Sequence, residues 1–333
     1  MNKRVNILAI ETSCDDTCCS VISDDIILSN IRNTQKIHGN FGGVIPEIAS
    51  RNHQDNISKV VNSALRVSKI KKKDISAISY TYGPGLKGPL LVGSMFAKGF
   101  ALGLNVPIIA VNHLHGHIIA NFIDKPHPRF PFLCLLVSGG NTQIVKVSDY
   151  NKFELLGQTL DDAIGEAYDK IGKLLGFKYP GGQKIDYYSQ FGNENKFKFP
   201  KAHVENYNYS FSGIKTAIKY FLQDKTHKFI KENIQDLCAS IQKCLLGMLL
   251  DKFILAIKDT KIKDIAISGG VACNNGLRNM LTDISSKMNL NLFIPDPQYC
   301  TDNAAMIAKL GYIKYLGGDF SDINIDVEPD LKY

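Results

Sequence analysis

One order of elements occurs twice along the chain, and this repeat constrains the fold more than any other feature. Val5–Ile10 is a short β-rich run, and Cys19–Ser23 and Ile26–Asn33 read as a hairpin turning at Asp24-Asp25. Pro46 opens a helical pattern with Ile57, Val60, Val61, Ala64 and Leu65 on one face. A strand over Ile75–Thr81, a helix over Leu90–Leu104, a strand over Ile108–Val111 and a helix across His113–Phe122 complete the first half. Beyond Asp124–Pro131 the order recurs. Phe132–Val137, Thr142–Val147 and Phe153–Gln158 read as strands, Leu160–Leu175 and Ile230–Lys258 as helices. Ile265–Ser268 is a strand, Asn274–Lys287 a helix, Leu292–Ile294 a strand and Ala304–Tyr315 a helix.

Three leading strands in each half argue against a plain doubly wound sheet, the other way to use alternating strands and helices. The doubled unit resembles the duplicated ribonuclease-H-like α/β fold of actin, Hsp70 and sugar kinases. That fold implies two lobes with a nucleotide-like ligand in the cleft between them. The expected division is an N-terminal lobe over 1–131, joined by the C-terminal helix 303–333, and a C-terminal lobe over 132–302. An insertion rich in Gly, Tyr, Asn and Lys occupies about 176–228 of the second lobe.

Composition narrows the setting. Of 333 residues, 44% are hydrophobic and 21% charged, which fits an ordinary globular chain. No apolar run is long enough to span a membrane. The apolar run ending before Glu11 is too short for a signal-peptide core, so a cytoplasmic protein is expected. Eight cysteines, none in a C-x-x-C pair, read as reduced thiols. Lys and Arg exceed Asp and Glu by 39 − 32 = 7, much of it within Lys69–Lys73 and Lys196–Lys231. Such a surplus favours a polyanionic partner, RNA among them.

Three strand ends run into polar or glycine-rich turns. They are Glu11-Thr12-Ser13-Cys14-Asp15-Asp16-Thr17, Ser138-Gly139-Gly140-Asn141-Thr142 and Ser268-Gly269-Gly270-Val271-Ala272-Cys273-Asn274. Glycine amides can cradle an anion, and in the third turn a helix N-terminus adds its dipole. The first two occupy matching places in the repeat. Neither a Walker nor a Rossmann glycine pattern is present. Gly83-Pro84-Gly85-Leu86-Lys87-Gly88 reads as a rigid turn.

His113 and His117 are spaced i, i+4, about 400° of helical rotation, so both imidazoles leave one face. His115, about 200° from each, points away. Leu114 stands where the glutamate of the H-E-x-x-H metalloprotease pattern would be. Asp302 is the best third ligand from elsewhere, its competing role being an N-cap for the last helix. Two His and one carboxylate leave open positions suited to one divalent ion per subunit, Fe(II) first and Zn(II) second.

Taken together these residues closely resemble the tRNA adenosine threonylcarbamoyltransferase family (bacterial TsaD), formerly described as O-sialoglycoprotein endopeptidases. The resemblance covers essentially the whole chain. It rests on the first turn above, Gly83-Pro84-Gly85-Leu86, Leu90-Leu91-Val92-Gly93, Asn112-His113-Leu114-His115-Gly116-His117 and Leu136-Val137-Ser138-Gly139-Gly140-Asn141-Thr142. Tyr179-Pro180-Gly181-Gly182, Phe211-Ser212-Gly213-Ile214-Lys215-Thr216, the third turn and Thr301-Asp302-Asn303-Ala304-Ala305 complete it.

The resemblance implies metal-assisted transfer of threonylcarbamoyl from threonylcarbamoyl-AMP to N6 of the adenosine 3′ of the anticodon, in tRNAs reading codons that begin with adenine. It implies that His113, His117 and Asp302 bind the metal. It implies that Leu136, Val137, Ser138, Gly139, Gly140, Asp169, Gly182, Asp186 and Asn274 hold the adenylate. A TsaB-like paralogue and a TsaE-like small ATPase are the implied partners. Two positions depart from the bacterial pattern: His115 stands where Glu is usual, and Gln183 where Pro is usual.

The donor is a mixed anhydride, so no nucleophilic side chain is required, and positioning with charge stabilisation carries the acceleration. Glu11 and Asp15 are both expected at the cleft, and either could accept the amine proton. A kinase-like phosphotransferase would leave the His113, His117, Asp302 set without a role; an ATP-hydrolysing binding module is a further alternative. RNA contact is expected from a basic surface, with Gly42–Ser50 and the following helix as candidates.

Overall fold

The computed structural model describes residues 4–202 and 204–332. The chain divides into two compact units, Met1–His127 with Pro295–Tyr333, and Pro128–Ile294. Residues 1–3, 203 and 333 lie outside the described residues.

The first unit begins β1 (Asn6–Glu11), β2 (Asp16–Ser23), β3 (Ile26–Thr34), α1 (Pro46–Ser68), β4 (Ala77–Gly83), α2 (Lys87–Leu104), β5 (Ile108–Asn112) and α3 (His113–Ile119). The hairpin turns at Asp24 and Asp25, with φ of 44° and 74°, the left-handed pair that suits a two-residue hairpin loop. The sheet runs β3-β2-β1-β4-β5, with β1 antiparallel to β2 and parallel to β4. Every residue of β1 is buried, because both faces of the sheet are covered. Leu8 and Ile10 pack with the Ile57, Val60, Val61 face of α1 and with Ala97 and Ala101 of α2.

The second unit runs β6 (Phe132–Val137), β7 (Thr142–Asp149), β8 (Lys152–Gln158), α4 (Ile164–Leu174), α5 (Gly182–Ser189), α6 (Ser212–Gln223), α7 (His227–Glu232), α8 (Ile234–Thr260), β9 (Asp264–Ser268), α9 (Asn275–Met288) and β10 (Asn291–Phe293). Its sheet order is β10-β9-β6-β7-β8. β6 is antiparallel to β7 and parallel to β9, which repeats the first sheet strand for strand. The fold is a duplicated ribonuclease-H-like α/β unit. α8 is buried around most of its circumference, from Leu237 to Ile257, as a central packing helix should be.

Three differences from the sequence reading have local causes. The helix expected from Leu160 starts at Ile164, because Asp161 and Thr159 are engaged in turn hydrogen bonds. The helix expected over Ile230–Lys258 breaks at Asn233 into α7 and α8. The insertion contains α5 and α6, whose Ile214, Ile218 and Leu222 form one buried stripe.

The chain then returns to the first unit through α10 (Pro297–Cys300) and α11 (Ala304–Leu316). α11 is buried from Ala304 to Gly311. A Cβ on Gly311 would lie 2.6 Å from that of Ser79, so α11 rests directly on β4, on the face opposite Leu8 and Ile10. Asp302, expected from the second lobe, therefore belongs to the first unit.

Candidate metal centre and phosphate-binding turns

Local structure brings His113, His117 and Asp302 together. Asn112 ends β5 and caps α3, its side-chain oxygen accepting from the Leu114 and His115 amides at 2.8 and 3.2 Å, a standard N-cap. His113 and His117 thus stand on consecutive turns, ring centroids 4.7 Å apart. Gly116 faces α11, where a Cβ would come within 3.0 Å of Ile307. Asp302 is not the cap of that last helix. Asn303 caps it, accepting from the Met306 amide at 3.0 Å and donating to the Thr301 carbonyl. The Asp302 carboxylate is left to face the imidazoles.

The Nε2 atoms of His117 and His113 lie 3.2 and 3.6 Å from Asp302 Oδ1. The three candidate ligand atoms lie within 4.8 Å of one another. Ligands bound about 2.1 Å from one ion stand roughly 3.0–3.5 Å apart, so the donor set has the dimensions of a single-ion site. His113 directs Nδ1 to Glu11 Oε2 at 2.9 Å and to Ser13 Oγ at 3.2 Å, which reserves Nε2 for the ion. His115 stays outside the set. Burial and the Lys314 charge push its imidazole down to about 4.

Charge completes the case for a cation. Burial alone would lower His113, yet Glu11 and Asp302 together hold its imidazolium up to about 9. Burial works against the Asp302 carboxylate too, but the two histidines bring it down to about 2. Two carboxylates around these imidazoles thus favour positive charge at this place, which a proton or a bound cation can supply.

Glu11 and Asp15 separate clearly. Glu11 is fully buried. Its oxygens accept from the Ser13 amide and the Thr81 hydroxyl as well as from His113. Asp15 is half-buried. Next to it, burial first and the Asp302 charge among other causes raise Asp16 to about 7. Residues outside the sequence reading hold this turn. His53 Nδ1 meets Thr17 Oγ1 at 2.8 Å, His53 Nε2 meets the Cys14 carbonyl at 2.9 Å, and Arg32 donates to Thr301. No spacing rule links His53 to Thr17, so pattern reading had no access to this contact.

In the second unit Leu136 and Val137 are buried at the end of β6, and Gly139 and Gly140 are exposed with open space at their Cβ positions. The turn is closed by Ser138 Oγ accepting from the Asn141 amide at 3.0 Å. α4 starts against it: a Cβ on Gly165 would lie 2.5 Å from the Ser138 carbonyl oxygen. Gly269 adopts φ 88° and approaches the Val137 carbonyl equally closely, which only glycine tolerates. Asp169 Oδ1 accepts from the Gly181 and Gly182 amides at 2.8 and 3.1 Å. Asp186 caps α9, accepting from the amides of Asn275 and Gly276 at 3.0 and 3.2 Å. Asn274 also caps α9 through the Leu277 amide. Gln242 of α8, missed from sequence, ties these together, donating to Asp186 and accepting from Asn274 at 3.1 and 2.9 Å. It sits mid-helix among apolar residues, which is the one signal it offered.

Residues 26–309 match the family described as "TsaD: tRNA N6-adenosine threonylcarbamoyltransferase". Relatives bearing that enzyme name include one from Christiangramia forsetii, 51% identical over 338 residues, covering 100% of this chain and 99% of the relative. One from Phocaeicola vulgatus is 50% identical, covering 96% of each. One from Thermosipho africanus is 47% identical, covering 98% of this chain and 99% of the relative. Among solved structures, full-length HypF in its phosphate- and nucleotide-bound form superposes with a TM-score of 0.63 at 12% identity. T. kodakarensis HypF gives 0.58 at 14%. This chain covers 96% and 95% of itself in those superpositions but 48% of either HypF chain, a likeness of fold alone.

Proposed function

This chain belongs to the tRNA N6-adenosine threonylcarbamoyltransferase family, and from that premise we propose how its residues carry the reaction. It is an acyl-transferring enzyme that places a threonylcarbamoyl group on N6 of a tRNA adenosine. The acceptor is the adenosine 3′ of the anticodon in tRNAs reading codons that begin with adenine, and the donor is threonylcarbamoyl-AMP. The protein works in the cytoplasm, with a TsaB-like paralogue and a TsaE-like ATPase as partners. No helix among the described residues is long and apolar enough to cross a membrane.

Leu136, Val137, Ser138, Gly139 and Gly140 form the floor and amide edge that receive the adenylate, and exposed glycine amides suit its phosphate. Asn274 and the start of α9 offer a helix N-terminus to the same group. Asp186 keeps that helix end in place, and Asp169 holds the Gly181-Gly182 turn over the nucleoside. His113, His117 and Asp302 hold one divalent ion, Fe(II) before Zn(II) for this donor set. When bound, that ion supplies Lewis-acid polarisation.

The bond formed joins adenosine N6 to the carbamoyl carbon, and the bond broken is the anhydride C–O to AMP. Asp15, a half-buried carboxylate of its turn, accepts the N6 proton. Glu11 is too buried for that work and orients His113 instead.

The observation that carries the metal assignment is the 3.2 and 3.6 Å approach of two imidazole nitrogens to one carboxylate oxygen. Asp302→Asn and His113→Ala should each purify folded by circular dichroism, with metal content by mass spectrometry below about a tenth of wild type. Neither should modify tRNA when threonylcarbamoyl-AMP is supplied. Full metal content or full transfer in both variants refutes the assignment.

A further inference from the structure

Positive charge is concentrated from Lys196 to Lys231, in the later part of the insertion and just beyond it. Between Lys196 and Lys231 there are eight lysines against Glu205 and Asp224, a net of 8 − 2 = +6, in a chain whose total is +7. Part of this charge is spent internally: Lys196 pairs with Asp236 and Lys201 with Asp251, each at 2.7 Å. Lys228 also approaches Glu232 at 3.8 Å, and Lys215 is half-buried. Lys198, Lys219, Lys225 and Lys231 are exposed and have no acidic partner among the described residues.

These lysines stand on a packed base. Phe221 packs against Phe197 and Phe199 with ring centroids 5.4 and 5.5 Å away. Lys225 lies over the Phe221 and Phe229 rings at 5.6 and 5.4 Å, which orients its ammonium without neutralising it. The start of α6 is fixed by Asp161, which accepts from the Ser210 and Ser212 hydroxyls and from the Phe211 and Ser212 amides. Beside Lys219 on α6, Tyr220 presents its ring at 66% exposure.

Exposed cations and an exposed ring on the same short stretch of chain are what single-stranded RNA requires: neutralised phosphates and a platform for an unstacked base. In the rival basic run, Lys69–Lys73, the ring beneath Lys72, Phe100, is only part-exposed.

We propose that the outward face of α6 and α7, with Lys219, Tyr220, Lys225 and Lys231 at its centre, is a tRNA-binding surface of this enzyme. The proposal rests on the tRNA-modifying reading above and adds the place of contact.

The test uses the full chain and unmodified tRNA in a filter-binding titration from about 50 to 200 mM salt. Lys219→Glu, Lys225→Glu and Lys231→Glu combined should raise Kd at least about tenfold and flatten the log–log salt slope by about three. Tyr220→Ala should weaken binding roughly 5- to 100-fold with the salt slope unchanged. In the transfer assay the KM for tRNA should rise while the KM for threonylcarbamoyl-AMP stays. Lys71→Glu, Lys72→Glu and Lys73→Glu combined should leave Kd within about twofold. Wild-type Kd and slope in the first variant, or an equal loss in the Lys71–Lys73 variant, overturns the surface. Binding of the wild-type chain to phosphatidylserine vesicles but not to tRNA overturns it in favour of a membrane. A wild-type chain that neither binds nor modifies tRNA fails differently, because it removes the transferase reading itself.

Discussion

Glu11 is a buried carboxylate set behind one of the proposed metal ligands. Its Oε2 meets His113 Nδ1 at 2.9 Å, while the Ser13 amide and the Thr81 hydroxyl donate to its oxygens. Removing such a partner typically costs 10- to 100-fold in metal affinity. Glu11→Gln should therefore lower the affinity for Zn(II) by about that factor in a competitive chelator titration, and Glu11→Ala by more. Equal affinity in all three proteins would mean that His113 is held by something else. Asp161 gives a pH prediction. Burial would raise its carboxyl, but the two serine hydroxyls and two amides hold it below the ordinary value. A carboxyl lower in the folded state stabilises above the unfolded pKa, and that contribution disappears as pH falls through the folded one. Hydrogen-exchange protection at Phe211 and Ser212 should thus fall as pH drops below the ordinary aspartate value of about 4, and Asp161→Asn should erase the pH-dependent part. At this scale His113 and His117 were legible because helical spacing fixes their shared face. The full burial of Glu11 was not legible, because burial is a tertiary property.

At the scale of elements, glycines set how closely helices meet the turns. α4 approaches Ser138 so nearly that Gly165→Ala puts a methyl 2.5 Å from a carbonyl oxygen. The turn must move, at a cost of about 1–3 kcal/mol. Calorimetry should show weaker binding of threonylcarbamoyl-AMP to this variant, with metal content unchanged. Retained affinity would mean that the turn does not contact the donor. Most strands and helices were readable from alternation and 3.6-residue periodicity, since β1, β6 and α1 each bury a continuous pattern. α5 and α6 were not, because glycine, asparagine and tyrosine diluted the pattern around them. Ile214, Ile218 and Leu222 were the signal that could have revealed α6.

For the whole molecule, the repeated strand order was visible before any coordinates, since both halves open with three strands. The division into units was harder, because the first unit is discontinuous. α11 buries Met306, Ile307 and Leu310 against the first sheet, roughly 5–9 kcal/mol of apolar burial, comparable to the entire stability of a domain. A chain ending at Ile294 should keep cooperative melting for the second unit and lose it for the first. Adding a peptide of residues 295–333 should restore it. A first unit that melts cooperatively without that peptide would contradict the packing described. The same discontinuity has a consequence for biosynthesis. Asp302 is separated from His117 by 185 residues, so a nascent chain displays both imidazoles long before the ribosome delivers their carboxylate. Ion uptake then becomes a late maturation step, and a molecule clipped ahead of Pro295 is born without a complete coordination sphere.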